Sequence, residues 1–409
     1  MTAYLFTGGL VLDPRQDGPR GGMEVLTEDG VIREVSDRPI VSAAATRIDL
    51  GGRVLMPGLI DAHVHVVASM ADLAANAAQP SSLAALRAGQ IMGAMLARGF
   101  TTVRDVGGAD RGLVDAQAMG AVQGPRLVIS GKALSQTGGH CDSRIRSDDR
   151  APLQHRVGAM GRLADGVDAV RLAAREELRA GADFVKVMAN GGIASPTDPI
   201  HMLQYSADEL RAVVEEARNL GTYVSAHLYT DAAISRAVAC GIHSLEHCNL
   251  IEAPTAAAAV AAGCVAIPTL ITYERLAAEG AALGLPPDSV AKIETVRQAG
   301  LASLAIMQAA GLPMAYGSDL LGPMHQHQSG EFKLRARVLP ALDVLRSATT
   351  VAAKLCRLEG RAGVIEPGAF ADLLVVDGNP LTDWGLLEGQ GAHLWAIMQA
   401  GVFVKHAPH

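Results

Sequence analysis

With 409 residues, 49% hydrophobic content and only 3% aromatics, the chain can bury one large core and a smaller satellite built from Ala, Val, Leu and Ile. That composition suits parallel strands covered by Ala-rich helices. A formal charge of −7 with no basic stretch excludes nucleic acid or an anionic membrane as the main partner and leaves a small molecule. The chain shows no signal-peptide pattern and no apolar run approaching ~20 residues, so it is expected to be soluble and cytoplasmic.

The first stretch, Tyr4 to Asp13 and then Gly22 to Val35, reads as short alternating strands with a hairpin turn at Asp29-Gly30. The same texture returns at Ala371 to Asp377 and Ala396 to Val404. Neither end is long enough to bury a sheet face alone, so the two are expected to pair into one composite β-sandwich spanning 1–55 and 363–409. A catalytic domain spanning 56–362 would interrupt it.

The apolar run from Val54 to Ile60 reads as a buried strand, with His63 and His65 at i and i+2 where it ends, a spacing that lets two imidazoles face one ion. Strand-like runs then alternate with helical ones at Thr101–Asp105, Arg126–Ser130, Phe184–Met188, Tyr223–Ala226, Ser244–His247, Val265–Pro268 and Met314–Gly317. Ser206 and Glu209 form a capping box that opens a helix running to Gly221. With the first strand this gives about eight βα units, the number that closes a (β/α)8 TIM barrel. A doubly wound sheet is the weaker expectation, because no GxGxxG follows an early strand.

In such a barrel the chemistry sits at the C-terminal ends of the strands. That rule selects His63, His65, Asp105, His140, Lys186, His227, His247 and Asp319. Lys186, flanked by Val and Met, is either an ammonium that snorkels to the barrel mouth or an amine that loses its charge on burial and becomes able to take up carbon dioxide. Imidazoles closing two successive strands, His227 and His247, favour the second reading. Asp319 can ligate a metal and exchange a proton with bound water. Arg104 and Asp105 read as a structural polar layer. The five cysteines are odd in number and lack CxxC spacing, which supports neither a disulfide framework nor a zinc ribbon. They read as small buried apolar residues, Cys248 included.

Taken in order, Pro57-Gly58-Leu59-Ile60-Asp61-Ala62-His63-Val64-His65, Lys186, His227, His247 and Gly317-Ser318-Asp319 make the chain resemble the amidohydrolase superfamily over essentially its whole length. Narrower motifs at Thr137-Gly138-Gly139-His140, Phe184 to Gly192, Ala226 to Thr230 and Ser318 to Gly322 make it similar to the prolidase and carboxypeptidase-like group that includes ochratoxin-hydrolysing amidases. The resemblance implies a homo-oligomer with two divalent metal ions, zinc being the first expectation. His63, His65 and Asp319 would hold one ion and His227 and His247 the other, bridged by N-carboxylated Lys186 and a hydroxide. It implies hydrolysis of the amide bond of a dipeptide or N-acyl amino acid with a free carboxylate. Asp319 would be the proton carrier, His140 the oxyanion donor and Lys186 the bridge.

Tyr229 is the candidate for the substrate carboxylate. His140, His201 and His325 are further substrate contacts, and the stretch from Ile193 to Met202 is expected to be a mobile loop over the site. Lactone or phosphotriester hydrolysis would need the same metals without a carboxylate clamp. A catalytically inactive binding scaffold would require lost ligands, whereas all six positions are occupied.

Overall fold

The computed structural model describes residues 2–406 apart from 194, 196 and 286. Both chain ends build two sheets. One has the strand order Val31–Ser36, Glu24–Glu28, Ala3–Thr7, Thr46–Asp49, and its hairpin turns at Asp29 and Gly30, both with positive φ. The other runs Val402–His406, Leu394–Gln399, Leu373–Val376, Val54–Pro57, Leu10–Val11, Arg20–Gly21, so N- and C-terminal segments alternate within it. Leu373–Val376 pairs antiparallel with Val54–Pro57, setting Leu55 opposite Val375. Phe6, Val25, Ile32, Leu55, Val375, Trp395 and Met398 pack into one apolar cluster between the sheets.

The remainder is the (β/α)8 barrel. Leu59–Val64, Phe100–Asp105 and Arg126–Ile129 are parallel neighbours, as are Ala133–Ser135, Val185–Met188, Val224–Thr230, Ser244–Leu250 and Val265–Ile267. The third barrel strand is broken. Its first half, Arg126–Ile129, pairs with the second strand, and its second half, Ala133–Ser135, turns to pair with the fourth.

The last strand departs from expectation. Met314 to Gly317 forms only a single parallel bridge, Ala266 to Met314, yet the segment still closes the ring. Ala62 N–H donates to the Tyr316 carbonyl (2.8 Å), and Asp319 N–H donates to the His63 carbonyl (2.9 Å).

A second correction concerns the run Val54 to Ile60. It is two strands rather than one, Val54–Pro57 in the terminal sheet and Leu59–Val64 in the barrel. Pro57 brings no N–H to the ladder. Gly58 crosses so close to Thr101 that a Cβ there would lie 2.1 Å from Thr101 Oγ1. His63 therefore lies inside the barrel strand, and His65 follows its end.

The helix Ala207–Asn219 opens on the Ser206–Glu209 capping box, and Gly221 after it has φ +70°. Among the described residues no helix is long and apolar enough to cross a membrane.

Candidate metal centre

The barrel mouth opens into a cavity of about 280 Å³ whose wall includes His63, His65, His140, Lys186, His227, Tyr229, His247 and Asp319. His63 and His65 project from one face, as alternation requires, and each is aimed by its Nδ1. The Gly107 carbonyl lies 2.9 Å from His65 Nδ1, and because a carbonyl only accepts, that nitrogen carries the proton. His63 Nδ1 donates to Glu246 Oε2 (2.7 Å). Both Nε2 atoms are thereby turned towards Asp319 Oδ1, at 3.2 and 3.3 Å. These three residues present ligand atoms within 4.8 Å of one another.

His247 stands 4.9 Å from His63 and 4.7 Å from His227, measured between ring centroids. Its Nδ1 meets Thr269 Oγ1 at 2.8 Å, leaving Nε2 for a ligand. The chain strains to put it there. Strict alternation along Ser244–Leu250 would send Glu246 and His247 to opposite faces, but φ values of +69° at His247 and +57° at Cys248 turn both residues inward. Asp319 also has a positive φ, +51°.

The electrostatics are those of a cation site. Burial pushes His227 and His247 well below the usual imidazole range, so both are neutral and offer lone pairs. Burial alone would raise Asp319, but His63, His65 and His247 outweigh it and hold the carboxyl well below its ordinary value. Burial likewise opposes the charge on His63, and Asp319 and Glu246 overcome it. A proton on His63 Nε2 occupies the lone pair that a divalent ion would take.

Lys186 lies at the floor of the cavity, 1% exposed, and Nζ has no hydrogen-bond partner among the described residues. Burial pulls its pKa down to about 8. An orphaned, dry amine beside three imidazoles and a carboxylate is the donor set a metal pair with a bridging carbamate would need.

His140 stacks on His227 with centroids 4.2 Å apart. Its Nδ1 meets Ser195 Oγ at 2.7 Å, and Ser195 in turn donates to Asp198. The Tyr229 hydroxyl accepts from Tyr273 (3.2 Å), which stands 3.3 Å from Thr269, so a hydroxyl chain links Tyr229 to His247.

Two expected contacts lie elsewhere. His201 is exposed and outside the cavity lining, since the loop turns it to solvent. His325 is buried away from the cavity, its Nε2 held by the Ala68 carbonyl at 3.0 Å.

The loop expected to be mobile carries several hydrogen bonds at its described residues. Asn190 Nδ2 donates to the Ile200 and Met202 carbonyls (2.7 and 2.9 Å), and Lys292 Nζ donates to those of Gly192, Ser195 and Asp198 (3.0, 3.1 and 3.0 Å). Ala194 and Pro196 of this loop lie outside the described residues.

Arg104 and Asp105 form the anticipated polar layer. Arg104 Nη2 donates to Glu246 (2.6 Å), Ser225 and Ser244, and Asp105 accepts the N–H groups of Val66, Gly107 and Ala109. Cys248 is fully buried, and burial pushes its thiol well above the ordinary range, the opposite of an activated thiolate.

Sequence reasoning missed Glu246, Thr269, Ser195 and Asp198. For Glu246 a signal existed, because a carboxylate inside an apolar strand is costly unless something pairs with it.

The model for the amidohydrolase family matches residues 54–395, and the chain belongs to that family. It is similar to the ochratoxinase of Aspergillus niger, 29% identical over 357 residues that cover 84% of this chain and 74% of that protein. A crystal structure of a prolidase complexed with N-methylphosphonate-L-proline superposes with a TM-score of 0.97 at 51% identity, covering 99% of this chain and 100% of the other. A Xaa-Pro dipeptidase with bound methionine gives 0.88 at 26%, covering 99% and 100%. Within the family the chain falls in the prolidase-like group, and it is a hydrolase of amide or peptide bonds.

Proposed function

We propose that the chain is a binuclear metal hydrolase that cleaves dipeptides or N-acyl amino acids bearing a free carboxylate on the leaving amino acid. The observation that carries this reading is the unpartnered Lys186 amine, buried on the cavity floor among His63, His227, His247 and Asp319. His63, His65 and Asp319 would hold one ion, His227 and His247 the other, and carboxylated Lys186 both. Two such ions, zinc in our reading, supply a water acidic enough to act as hydroxide at neutral pH and polarise the scissile carbonyl.

The chain's own groups do the rest. Asp319 takes the proton of the attacking water and delivers it to the leaving nitrogen, which an amide requires because an amide anion leaves poorly. His140 Nδ1 donates to Ser195, whose proton goes to Asp198, so donation from Nε2 to the developing oxyanion would come from the imidazolium form, with the Asp198 carboxylate 3.5 Å from Nδ1 as its counter-charge. Tyr229, accepting from Tyr273, has its own proton to donate to the substrate carboxylate. The prolidase complexed with a phosphonate analogue of an acyl-proline, at 51% identity, supports the same substrate class.

The test is kinetic. Zinc-reconstituted protein is assayed on Xaa-Pro dipeptides and N-acyl amino acids, on their C-terminal amides, and on lactone and phosphotriester substrates. A loss of about two orders of magnitude in kcat/KM is expected on amidation, with a smaller loss for Tyr229→Phe. Lys186→Met is expected to bind fewer than two ions by metal analysis. Equal turnover of free and amidated substrates, or faster lactone turnover, would overturn the carboxylate assignment. Two ions retained in Lys186→Met would overturn the bridge.

A further inference from the structure

The helix Leu270–Glu279 separates two cavities. Thr272, Tyr273 and Leu276 on one face line the metal cavity, while Ile271, Glu274 and Arg275 on the other line a second cavity of about 480 Å³. Arg98, Ser329, Lys333, Arg337 and Glu388 complete the part of its wall that bears on the argument.

Charge there is unbalanced. Lys333 pairs with Glu388, and Glu274 is matched by Arg297 at 3.3 Å, so both lining carboxylates are neutralised. Arg275 pairs with Glu279 outside the lining at 3.6 Å. Arg337 is exposed and makes no ion pair among the described residues.

Arg98 is 2% exposed and has no carboxylate at contact distance. Nε donates to Gln328 (3.1 Å) and Nη1 to Gln390 (2.9 Å), while Nη2 finds no partner among the described residues. Ser329 Oγ, in a residue 4% exposed, is likewise unpartnered. Burial lowers Arg98 only to about 10, so it stays cationic at neutral pH. The Asp61 carboxylate acts on this guanidinium through Gln328 (2.9 Å from Asp61) without touching it, so Nη2 keeps an unmatched edge whose desolvation an anion in the adjoining space offsets. A volume of this size accommodates a metabolite rather than a lone ion.

We infer that this second cavity binds a small oxyanionic metabolite, a phosphate ester or dicarboxylate, through Arg98, Ser329 and Arg337. The test is calorimetric and thermal-shift titration of the metal-loaded protein with glycerol 3-phosphate and with succinate, at an ionic strength held constant with sodium chloride. Saturable binding of at least one is expected, and whichever ligand binds more tightly identifies the anion class.

Arg337→Gln and Arg98→Lys are each expected to weaken that binding tenfold or more while leaving kcat on the peptide substrate unchanged. Should Arg98→Lys fail to fold, Arg337→Gln at its exposed position still decides. Absence of saturable binding overturns the inference. So does binding that survives both substitutions, which would place the ligand at the metal centre.

Discussion

Glu246 joins two networks in a space water does not reach. One oxygen accepts from His63 Nδ1, and the other accepts from Arg104 (2.6 Å), Ser225 (2.5 Å) and Ser244 (2.7 Å). Burial would raise this carboxyl, but Arg104, Lys186 and His63 keep it ionised, well below its ordinary value. Glu246→Gln preserves shape while removing that charge and one acceptor. Affinity for the divalent ion is expected to fall about 10- to 100-fold, measured by chelator competition, and an unchanged affinity would show that His63 needs no such partner.

His325 provides a pH prediction of opposite origin. Burial lowers its pKa to about 4, so between pH 6.5 and 4 the unfolded chain binds the proton more tightly and stability falls as pH is lowered through that window. The difference in denaturant stability between wild type and His325→Gln should therefore change by on the order of 3 kcal/mol from pH 7 to pH 4. A pH-independent difference would refute the shift. At this scale the candidate ligands were legible because strand ends in a barrel expose a short list of polar positions. Of their supports only Glu246 left a trace, as a carboxylate in an apolar strand, because Gly107 and Thr269 are chosen by contacts between strands distant in sequence.

Among the elements, the loop after Val185–Met188 positions His140 more than it covers the site. Gly192 passes so close beneath the imidazole that a Cβ would lie 1.8 Å from its Cε1. Gly192→Ala is expected to lower kcat by about tenfold or more through displacement of His140, with metal content and melting temperature near wild type. Retained kcat would detach His140 from the chemistry.

Capping at Ser206 and the Asp29-Gly30 turn could be read directly, since both are local rules carried by two or three side chains. The division at Gly58, the broken third strand and the inward turn of His247 could not. Each is set by a neighbouring layer, Thr101 in the first case and the facing imidazoles in the last. The (β/α)8 pattern survived these errors because it rests on the count of alternating units rather than on their boundaries.

For the whole molecule, the terminal sandwich is welded to the barrel through one stretch of chain, Val54 to Val64, which serves both layers. Leu55, fully buried in the sandwich core, faces Val375 across the pairing of the two ends. Leu55→Ala is expected to cost about 2–5 kcal/mol in urea denaturation, and a value below about 1 kcal/mol would mean that the sandwich contributes little to global stability.

The seam of the barrel carries a further consequence. His63 gives its carbonyl to the Asp319 N–H, so the first and last strands meet where their own side chains converge on a candidate ion site. A nascent chain lacking its final unit has no complete cradle. On the proposed reading a cation there would act as a clasp fastened only after the ring has shut, and stripping it away should loosen the molecule at that junction before any outlying loop.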